Sequence, residues 1–271
     1  MSGIAPLLAE PRPLVMGVLN VTPDSFSDGG KFCSVPAALS HALKMIGQKA
    51  DIIDIGGEST RPNAERVSPD LELQRVLPVI KAIREHSDIC LSIDTSTPEV
   101  MVAAADLGVD LINDVRALTR SGAMAAAVKT GLPVCLMHMK GDPKTMQTNP
   151  HYDNLVGEIN RFFLTRINAC IEAGMDQDQI LLDPGFGFGK LPEHNLQLIN
   201  RLGEFLVHEL PLLVGLSRKS TITKIVDDPL IGSVSGAIMA VGKGAKIVRV
   251  HDVGETVDAL KILASITTET L

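Results

Sequence analysis

The chain has 271 residues, a formal net charge of −7 and 45% hydrophobic residues, which is the composition of a globular protein with a large apolar core. This acidic balance, without a basic tail, argues against nucleic acid as the main partner, because phosphate-backbone binding needs clustered Lys and Arg. No apolar run reaches the ~20 residues of a membrane helix, and we recognise no signal peptide. We therefore expect a cytoplasmic protein with no membrane contact.

The predicted core is aliphatic. Trp is absent and Tyr152 is the only tyrosine, which suits a parallel sheet of Val, Ile and Leu. Cys33, Cys90, Cys135 and Cys170 show no metal-knuckle spacing. Cys90 and Cys135 lie in apolar runs, so buried free thiols in a reducing compartment are expected.

Eight short apolar runs with polar ends are predicted to be strands. They are LVMGVLN (14–20), ADIIDIGG (50–57), ICLSIDT (89–95), DLINDV (110–115), PVCLMH (133–138), ILLDPGFG (180–187), LLVGLS (212–217) and KIVRVHD (246–252). A segment with helical periodicity follows each run, for example residues 70–86, 154–174 and 255–266.

The segment after the third run shows helix boundaries most clearly. Ser96 or Thr97 is suited to the N-cap, Pro98 to the first turn and Glu99 to the positive end of the helix, while Gly108 ends it.

Eight alternating strand and helix units predict parallel strands joined by right-handed crossovers. At this length they favour an α/β fold, the (β/α)8 or TIM barrel, with an open doubly wound sheet as the alternative. No Ser/Gly-rich or Pro-rich linker divides the chain. We therefore predict a single domain over residues 1–271, in which residues 1–13 are a short N-terminal lead.

Polar residues gather at the carboxyl ends of the predicted strands, where TIM barrels place their chemistry. They are Asn20, Asp54, Asp94, Asn113, Asp114, His138, Asp183, Ser217, Arg218, Lys219, Arg249 and His251. The loop after the first strand, 20–30, is also dense in short polar side chains, as expected of a wall or lid over this mouth.

Asp94, Asn113 and Asp183 end three different strands. Two carboxylates and a carboxamide match the row of donors and acceptors on a ring-shaped amide with an adjacent amino group, and such a buried site rejects ligands that leave it unpaired. The alternative is that each residue caps the helix that follows it.

An anion site is predicted near the last two strands. Arg249 and His251 alternate by two, so both should point to one face of the eighth strand, beside Arg218 and Lys219 from the seventh. A solvated basic turn, a structural or metal-binding His251 and a Schiff base on Lys219 remain alternatives.

The glycine-rich stretch DPGFGFGK (183–190) matches neither the dinucleotide fingerprint nor the phosphate loop. It indicates either a tight turn or a close approach of the backbone to a flat ligand, with Phe186 or Phe188 as a wall. GGESTRP (56–62) indicates either a loop whose polar side chains contact a ligand or an ordinary connection in which Glu58 caps the next helix.

Seven motifs in order, NVTPDSFSDGG, DIGGESTRP, IDTS, INDV, DPGFGFGK, SRKS and RVHD, resemble the bacterial type of the dihydropteroate synthase family. The resemblance runs from about residue 15 to residue 257. It implies a transferase of folate biosynthesis that joins 6-hydroxymethyl-7,8-dihydropterin diphosphate to 4-aminobenzoate and releases pyrophosphate with the assistance of Mg²⁺. It also implies a sulfonamide target and a homodimer.

The resemblance assigns roles by motif. Asn20 is expected to bind Mg²⁺, and Arg249 and His251 are expected to bind the diphosphate. The pterin contacts are Thr60, Asp94, Asn113, Asp183 and Lys219. Pro62, Phe188 and Ser220 border the aminobenzoate, and Arg61 completes the expected substrate contacts. Asp94, Lys219, Arg249 and His251 are the expected catalytic residues.

Three other functions compete. A corrinoid-linked methyltransferase acting on methyltetrahydrofolate would keep the pterin pocket without a diphosphate site. The second alternative is a non-catalytic pterin-binding protein. The third is a phosphate-handling aldolase that uses Lys219. Pyrophosphate release on mixing both substrates with Mg²⁺ separates the synthase from all three.

Overall fold

The computed structural model describes residues 3–22, 34–59, 67–141 and 145–270. Within them, eight strands form a closed parallel barrel in chain order. The strands are β1 (Leu14–Asn20), β2 (Ile52–Gly56), β3 (Cys90–Asp94), β4 (Leu111–Asp114), β5 (Val134–Met137), β6 (Ile180–Asp183), β7 (Leu212–Val214) and β8 (Ala245–Val250). Every strand overlaps one predicted apolar run, so the TIM barrel is confirmed and the open sheet is wrong.

Helices connect successive strands and flank the first and last strand. They are α1 (Ile4–Ala9), α2 (Val35–Gly47), α3 (Pro69–Arg84), α4 (Pro98–Asp106), α5 (Ala123–Thr130), α6 (Leu155–Glu172), α7 (Pro192–Asn200), α8 (Ser220–Thr223), α9 (Pro229–Gly242) and α10 (Val253–Thr268), with 3-10 helices at Gln177–Gln179 and Leu202–His208. None of the described helices is long and apolar enough to cross a bilayer.

α4 shows how tertiary contacts replace a local cap. Thr97 is its N-cap residue, as predicted, but its side chain makes no capping hydrogen bond. The hydroxyl instead donates to Glu72 of α3 at 2.5 Å. Thr95 donates to the other oxygen of the same buried carboxylate at 2.5 Å. Desolvation raises the pKa of Glu72, and these two hydrogen bonds oppose the rise.

Residues 1–13, predicted as a short lead, contain a helix that covers the amino-terminal end of the barrel. Ile4 of α1 is 2% exposed and packs with strand residues that form the bottom layer inside the barrel, among them Leu14, Met16, Cys90 and Cys135. The bottom is therefore closed by apolar contacts, and the opposite rim is left for polar groups. Cys90, Cys135 and Cys170 are buried and free, as predicted, whereas Cys33 lies outside the described residues.

Candidate active site

The carboxyl ends of neighbouring strands bring the predicted polar residues together. In the sheet register Asn20 pairs with Gly56, Gly56 with Asp94 and Asp94 with Asn113. The amide oxygen of Asn20 and Oδ2 of Asp94 lie 3.6 and 3.7 Å from where a Cβ on Gly56 would stand. Gly56 thus leaves the space that these side chains share.

Arg249 lies at the centre of the site and bridges two carboxylates. Its Nε is 2.6 Å from Oδ2 of Asp54, and its Nη2 is 2.9 Å from Oδ2 of Asp94. Asn113 donates to the same oxygen of Asp54 at 3.2 Å. The other oxygen, Oδ1 of Asp54, is buried and has no hydrogen-bond partner among the described residues. In this cluster the Arg249 guanidinium pairs with two carboxylates, and Oδ1 of Asp54 is left as an acceptor without a donor among the described residues.

Burial dominates the electrostatics here. Desolvation raises the pKa of Asp94 to about 7, although the Arg249 charge lowers it. Desolvation lowers the pKa of Arg249, but Asp54 and Asp94 more than offset this and raise it overall. We noted Asp54 at the rim from sequence but did not predict it as a site residue, because its position two residues before the strand end gave no sign of the pairing.

Lys219 and Asp183 form a second charged group. The Lys219 ammonium donates to the carbonyl of Phe186 and lies 4.7 Å from the centroid of the Phe188 ring. Desolvation lowers the pKa of Lys219 to about 8, opposed by Asp183. Desolvation likewise raises the pKa of Asp183, opposed first by Lys219. A Cβ on Gly215 would lie 3.9 Å from both Nζ of Lys219 and side-chain carbons of Arg249, so the two cations flank one glycine.

Arg249 and His251 do not point at one shared partner. Arg249 reaches the carboxylates, while Nδ1 of His251 lies 3.0 Å from the hydroxyl oxygen of Ser217. That oxygen also accepts from the His251 backbone N–H at 3.2 Å, so the Ser217 hydroxyl fixes the orientation of the imidazole. Desolvation, then the charges of Arg249 and Arg218, lower the pKa of His251 to about 4.

Arg218, another cation of the predicted anion site, is paired with an acid outside the central cluster. Its Nε donates to Oδ2 of Asp252 at 3.0 Å, and its backbone has a φ of 57°. This left-handed conformation turns the chain between Ser217 and Lys219.

The glycine-rich stretch after β6 packs against backbone. A Cβ on Gly185 would collide with the carbonyl of His138, and one on Gly189 with the carbonyl of Lys140. Of the two proposed walls, Phe186 is fully buried, so only the half-buried Phe188 can border a ligand.

The remaining predicted residues divide into two groups. Ser220 is exposed at the start of α8, near Lys219. Thr60, Arg61 and Pro62 lie outside the described residues, as does most of the loop 20–30. Lys190 was not predicted as a site residue, yet it is 2% exposed and donates to His138 and to the carbonyls around it.

Comparison with known proteins places this geometry in a family. The family model for pterin binding enzymes matches residues 16–251. A dihydropteroate synthase of Escherichia coli K12 is 53% identical over 256 residues, which are 93% of this chain and 91% of that protein. The crystal structure of Yersinia pestis dihydropteroate synthase in a sulfonamide drug complex has a TM-score of 0.91 and 53% identity, covering 95% of each chain. A Xanthomonas albilineans dihydropteroate synthase with 4-aminobenzoic acid has a TM-score of 0.90 and 46% identity, covering 95% of this chain and 94% of that one.

Proposed function

Because the chain belongs to the pterin-binding enzyme family, as a dihydropteroate synthase of the bacterial type, we propose that its rim residues carry that reaction as follows. The enzyme joins 6-hydroxymethyl-7,8-dihydropterin diphosphate to 4-aminobenzoate. A C–N bond forms at the exocyclic carbon of the pterin, the C–O bond to diphosphate breaks, and the amine loses a proton. The observation that carries the assignment is one arginine bridging two acids, with Lys219 and Asp183 interacting electrostatically beside it.

The pterin lies against Asp94, Asn113, Asp183 and Lys219. A pterin ring presents adjacent amino, N–H and carbonyl groups, and these four side chains offer acceptors and donors at the ends of three strands and in the loop after β7. Asn113 and Asp183 are 4% and 5% exposed, so a ligand must satisfy them when it excludes water. Hydrogen bonds to the buried carboxylates are charge-assisted, which favours a donor-rich ring.

Arg249 links the pterin to the leaving group. Without ligand its guanidinium is shared between Asp54 and Asp94. A diphosphate competes for the same guanidinium and frees Oδ2 of Asp94 to accept from the pterin. With its proton on Nε2, the neutral imidazole of His251 provides a further donor toward the diphosphate. Both contacts strengthen as the C–O bond breaks and negative charge moves onto the leaving oxygen.

Diphosphate departs before the amine attacks, because a neutral aromatic amine is a weak nucleophile and needs a strong electrophile. The electron-rich dihydropterin carries positive charge on the exocyclic carbon, and the buried acids stabilise that charge. The ring of Phe188 and the hydroxyl of Ser220 border the aminobenzoate. Thr60, Arg61 and Pro62, which lie outside the described residues, keep the substrate contacts that the family resemblance implies. Water must be excluded from the site, because it otherwise captures the cation.

Asn20 has the donor chemistry expected of a Mg²⁺ ligand. In the described part of the chain, no three His, Cys, Asp or Glu side chains gather as a metal cluster. Mg²⁺ is often held by only one or two protein oxygens together with substrate phosphates and water. The half-buried amide oxygen of Asn20, beside Asp94, suits that arrangement and would hold the ion. When bound, the ion would neutralise charge on the departing diphosphate.

The homodimer is proposed to form through α9 and α10. Ile231 and Met239, eight residues apart on α9, are 60% and 61% exposed, and Ile262 and Ile266 on α10 are 63% and 70% exposed. Exposed apolar side chains at helical spacing on neighbouring helices indicate a contact surface. Light scattering tests this: Met239→Glu should give monomers, while Leu164→Glu on α6, also exposed, should not. The buried free thiols fit the reducing cytoplasm as its location.

The activity is tested by mixing the pterin diphosphate, 4-aminobenzoate and Mg²⁺ and measuring pyrophosphate and dihydropteroate together. Equal amounts of both products are expected, and omitting the aminobenzoate should abolish dihydropteroate. Chelating the metal should slow both. Methyl transfer from methyltetrahydrofolate, or pterin binding without product, would overturn the proposal.

A further inference from the structure

We propose that Lys190 is a positioning residue for the reaction, because its ammonium ties the β6–α7 loop (residues 184–191) to the exit of β5 and thereby fixes the partners of Lys219. The proposal rests on the dihydropteroate synthase activity proposed above. Of the two charged side chains in the glycine-rich stretch (183–190), Asp183 is a proposed pterin contact and Lys190 is not.

Lys190 is surrounded by acceptors. Its Nζ lies 2.9 Å from Nδ1 of His138, 2.9 Å from the Gly185 carbonyl, 3.1 Å from the Phe188 carbonyl and 3.3 Å from the His138 carbonyl. An ammonium has three N–H donors and a neutral amine only two. Burial lowers the pKa of Lys190 well below its usual range against the opposing charge of Asp183, and the four acceptors around Nζ favour the charged form. The lysine therefore acts as an internal cross-link between two loop carbonyls and β5.

The carbonyls held by Lys190 lie on both sides of the groups that contact Lys219. The Phe186 carbonyl, which accepts from Lys219, and the Phe188 ring, 4.7 Å from its Nζ, both lie in the segment between Gly185 and Phe188. Lys190 holds both ends of that segment. If the segment shifts, Lys219 loses its two contacts and its place opposite Asp183.

Other parts of the loop are held from outside the site. The Gly187 N–H donates to Oδ1 of Asn195 at 2.9 Å, and Nδ2 of Asn195 donates to Thr221 at 2.9 Å. The Tyr152 hydroxyl donates to the Gly189 carbonyl at 2.8 Å. An apolar side chain of the same length at position 190 would fill the space, yet it would leave the acceptors around it unpaired. The need for a lysine therefore lies in its donors and charge.

The charge of Lys190 should affect the pH dependence of pterin binding, whereas its packing alone should not. Asp183 is faced by Lys219 from the β7 exit, Lys190 from its own loop, Arg249 from β8 and the neutral thiol of Cys135 from β5. Each cation lowers the pKa of the Asp183 carboxyl. Removing Lys190 therefore makes Asp183 take up a proton at a higher pH, and pterin binding should fail earlier as the pH falls.

The test uses Lys190→Met, which keeps length but removes donors and charge, and Lys190→Gln, which keeps a donor group. Lys140→Met is the matched control. Lys140 also lies at the β5 exit, but it is 45% exposed and pairs with Glu158 at 3.1 Å. Calorimetry gives the affinity for free pterin across pH, steady-state kinetics give kcat and KM for both substrates, and melting curves report folding.

We expect Lys190→Met to lower kcat/KM for the pterin diphosphate about a hundredfold, the cost of a ~1 Å misplacement. The acid limit of pterin binding should move to higher pH in both Lys190 variants. Lys140→Met should stay within about twofold of the parent, as for an exposed ion pair. A folded Lys190→Met with parental kinetics and an unmoved acid limit would show that the lysine only fills space.

Two further outcomes are decisive. If neither Lys190 variant folds, Tyr152→Phe loosens the same loop at Gly189, and unchanged pterin affinity there overturns the proposal. If the parent chain binds pterin but forms no dihydropteroate, the proposed function fails, while the pterin-affinity measurements still decide the role of Lys190.

Discussion

Replacing Arg249 by methionine should destabilise the barrel, because Asp54 and Asp94 would be left buried without their cation. Asp54 is fully buried, and the Arg249 side chain is only 21% exposed. Removing one partner from a buried ion pair costs about 3–5 kcal/mol. At about 2 °C per kcal/mol for a chain of 271 residues, the melting temperature should fall by about 6–10 °C at pH 8.

The loss should depend on pH, and its sign follows from the buried acids. Arg249 lowers the pKa of Asp94, so in the variant that pKa rises beyond about 7. Between the pKa of an unfolded aspartate, ~3.9, and this raised value, the folded variant holds more protons than the unfolded chain. The stability of the variant therefore falls as the pH rises through this window. The parent shares this fall only up to about pH 7, where its own Asp94 loses the proton, so the deficit of the variant grows as the pH rises above about 7 and shrinks as the pH is lowered.

The measurement is the melting temperature of both proteins from pH 5.5 to 8.5. Arg201→Met removes an exposed pair with Glu204 and should leave the curve unchanged. Adding Asp54→Asn to Arg249→Met should restore part of the loss by removing one buried charge. A deficit that is constant with pH and is not reduced by Asp54→Asn would refute the charge argument and point to lost packing alone.

Three other changes test separate parts of the molecule. Asp183→Asn should weaken pterin binding at least about tenfold in calorimetry, because its hydrogen bonds are charge-assisted; unchanged affinity would remove it from the pterin site. Ser217→Ala frees Nδ1 of His251 and should weaken diphosphate binding about two- to tenfold, with free pterin binding as the unaffected control. Ile4→Ala should cost about 2 kcal/mol of stability and leave kcat unchanged, since α1 lies at the opposite end of the barrel; a lower kcat would contradict that separation.

The strands were predictable because each is a short apolar run bounded by polar residues. Helix starts with strong local signals were predictable too, as at Pro69 and Pro98. β7 is shorter than its run: the apolar stretch reaches residue 217, but the strand ends at Val214, and its register with β8 shifts between Leu212 and Leu213. α1 could not be predicted, because six residues containing proline have little helical stability of their own and this helix depends on contacts with the barrel bottom.

The site residues were predictable as a rim, but their pairing was not. Arg249 and Asp54 are 195 positions apart, and no local pattern indicates which acid an arginine will meet. The twofold alternation on β8 placed Arg249 and His251 on one face but could not show that the arginine extends to the carboxylates. Lys190 follows three glycines and two phenylalanines, a context in which a lysine usually indicates solvent exposure. Its burial depends on acceptors supplied by β5.

The backbone contact between the β6–α7 loop and the β5 exit also limits how this protein can vary. Gly185 and Gly189 have positive φ angles of 70° and 64°, and each faces a carbonyl where a side chain would stand. Substitution at either position must separate two main chains. Variation in the wall beside Lys219 is therefore confined to side chains such as Phe188. An inhibitor that gains its affinity from the main chain of this loop meets a surface that mutation cannot easily reshape, whereas one that depends on the Phe188 ring does not.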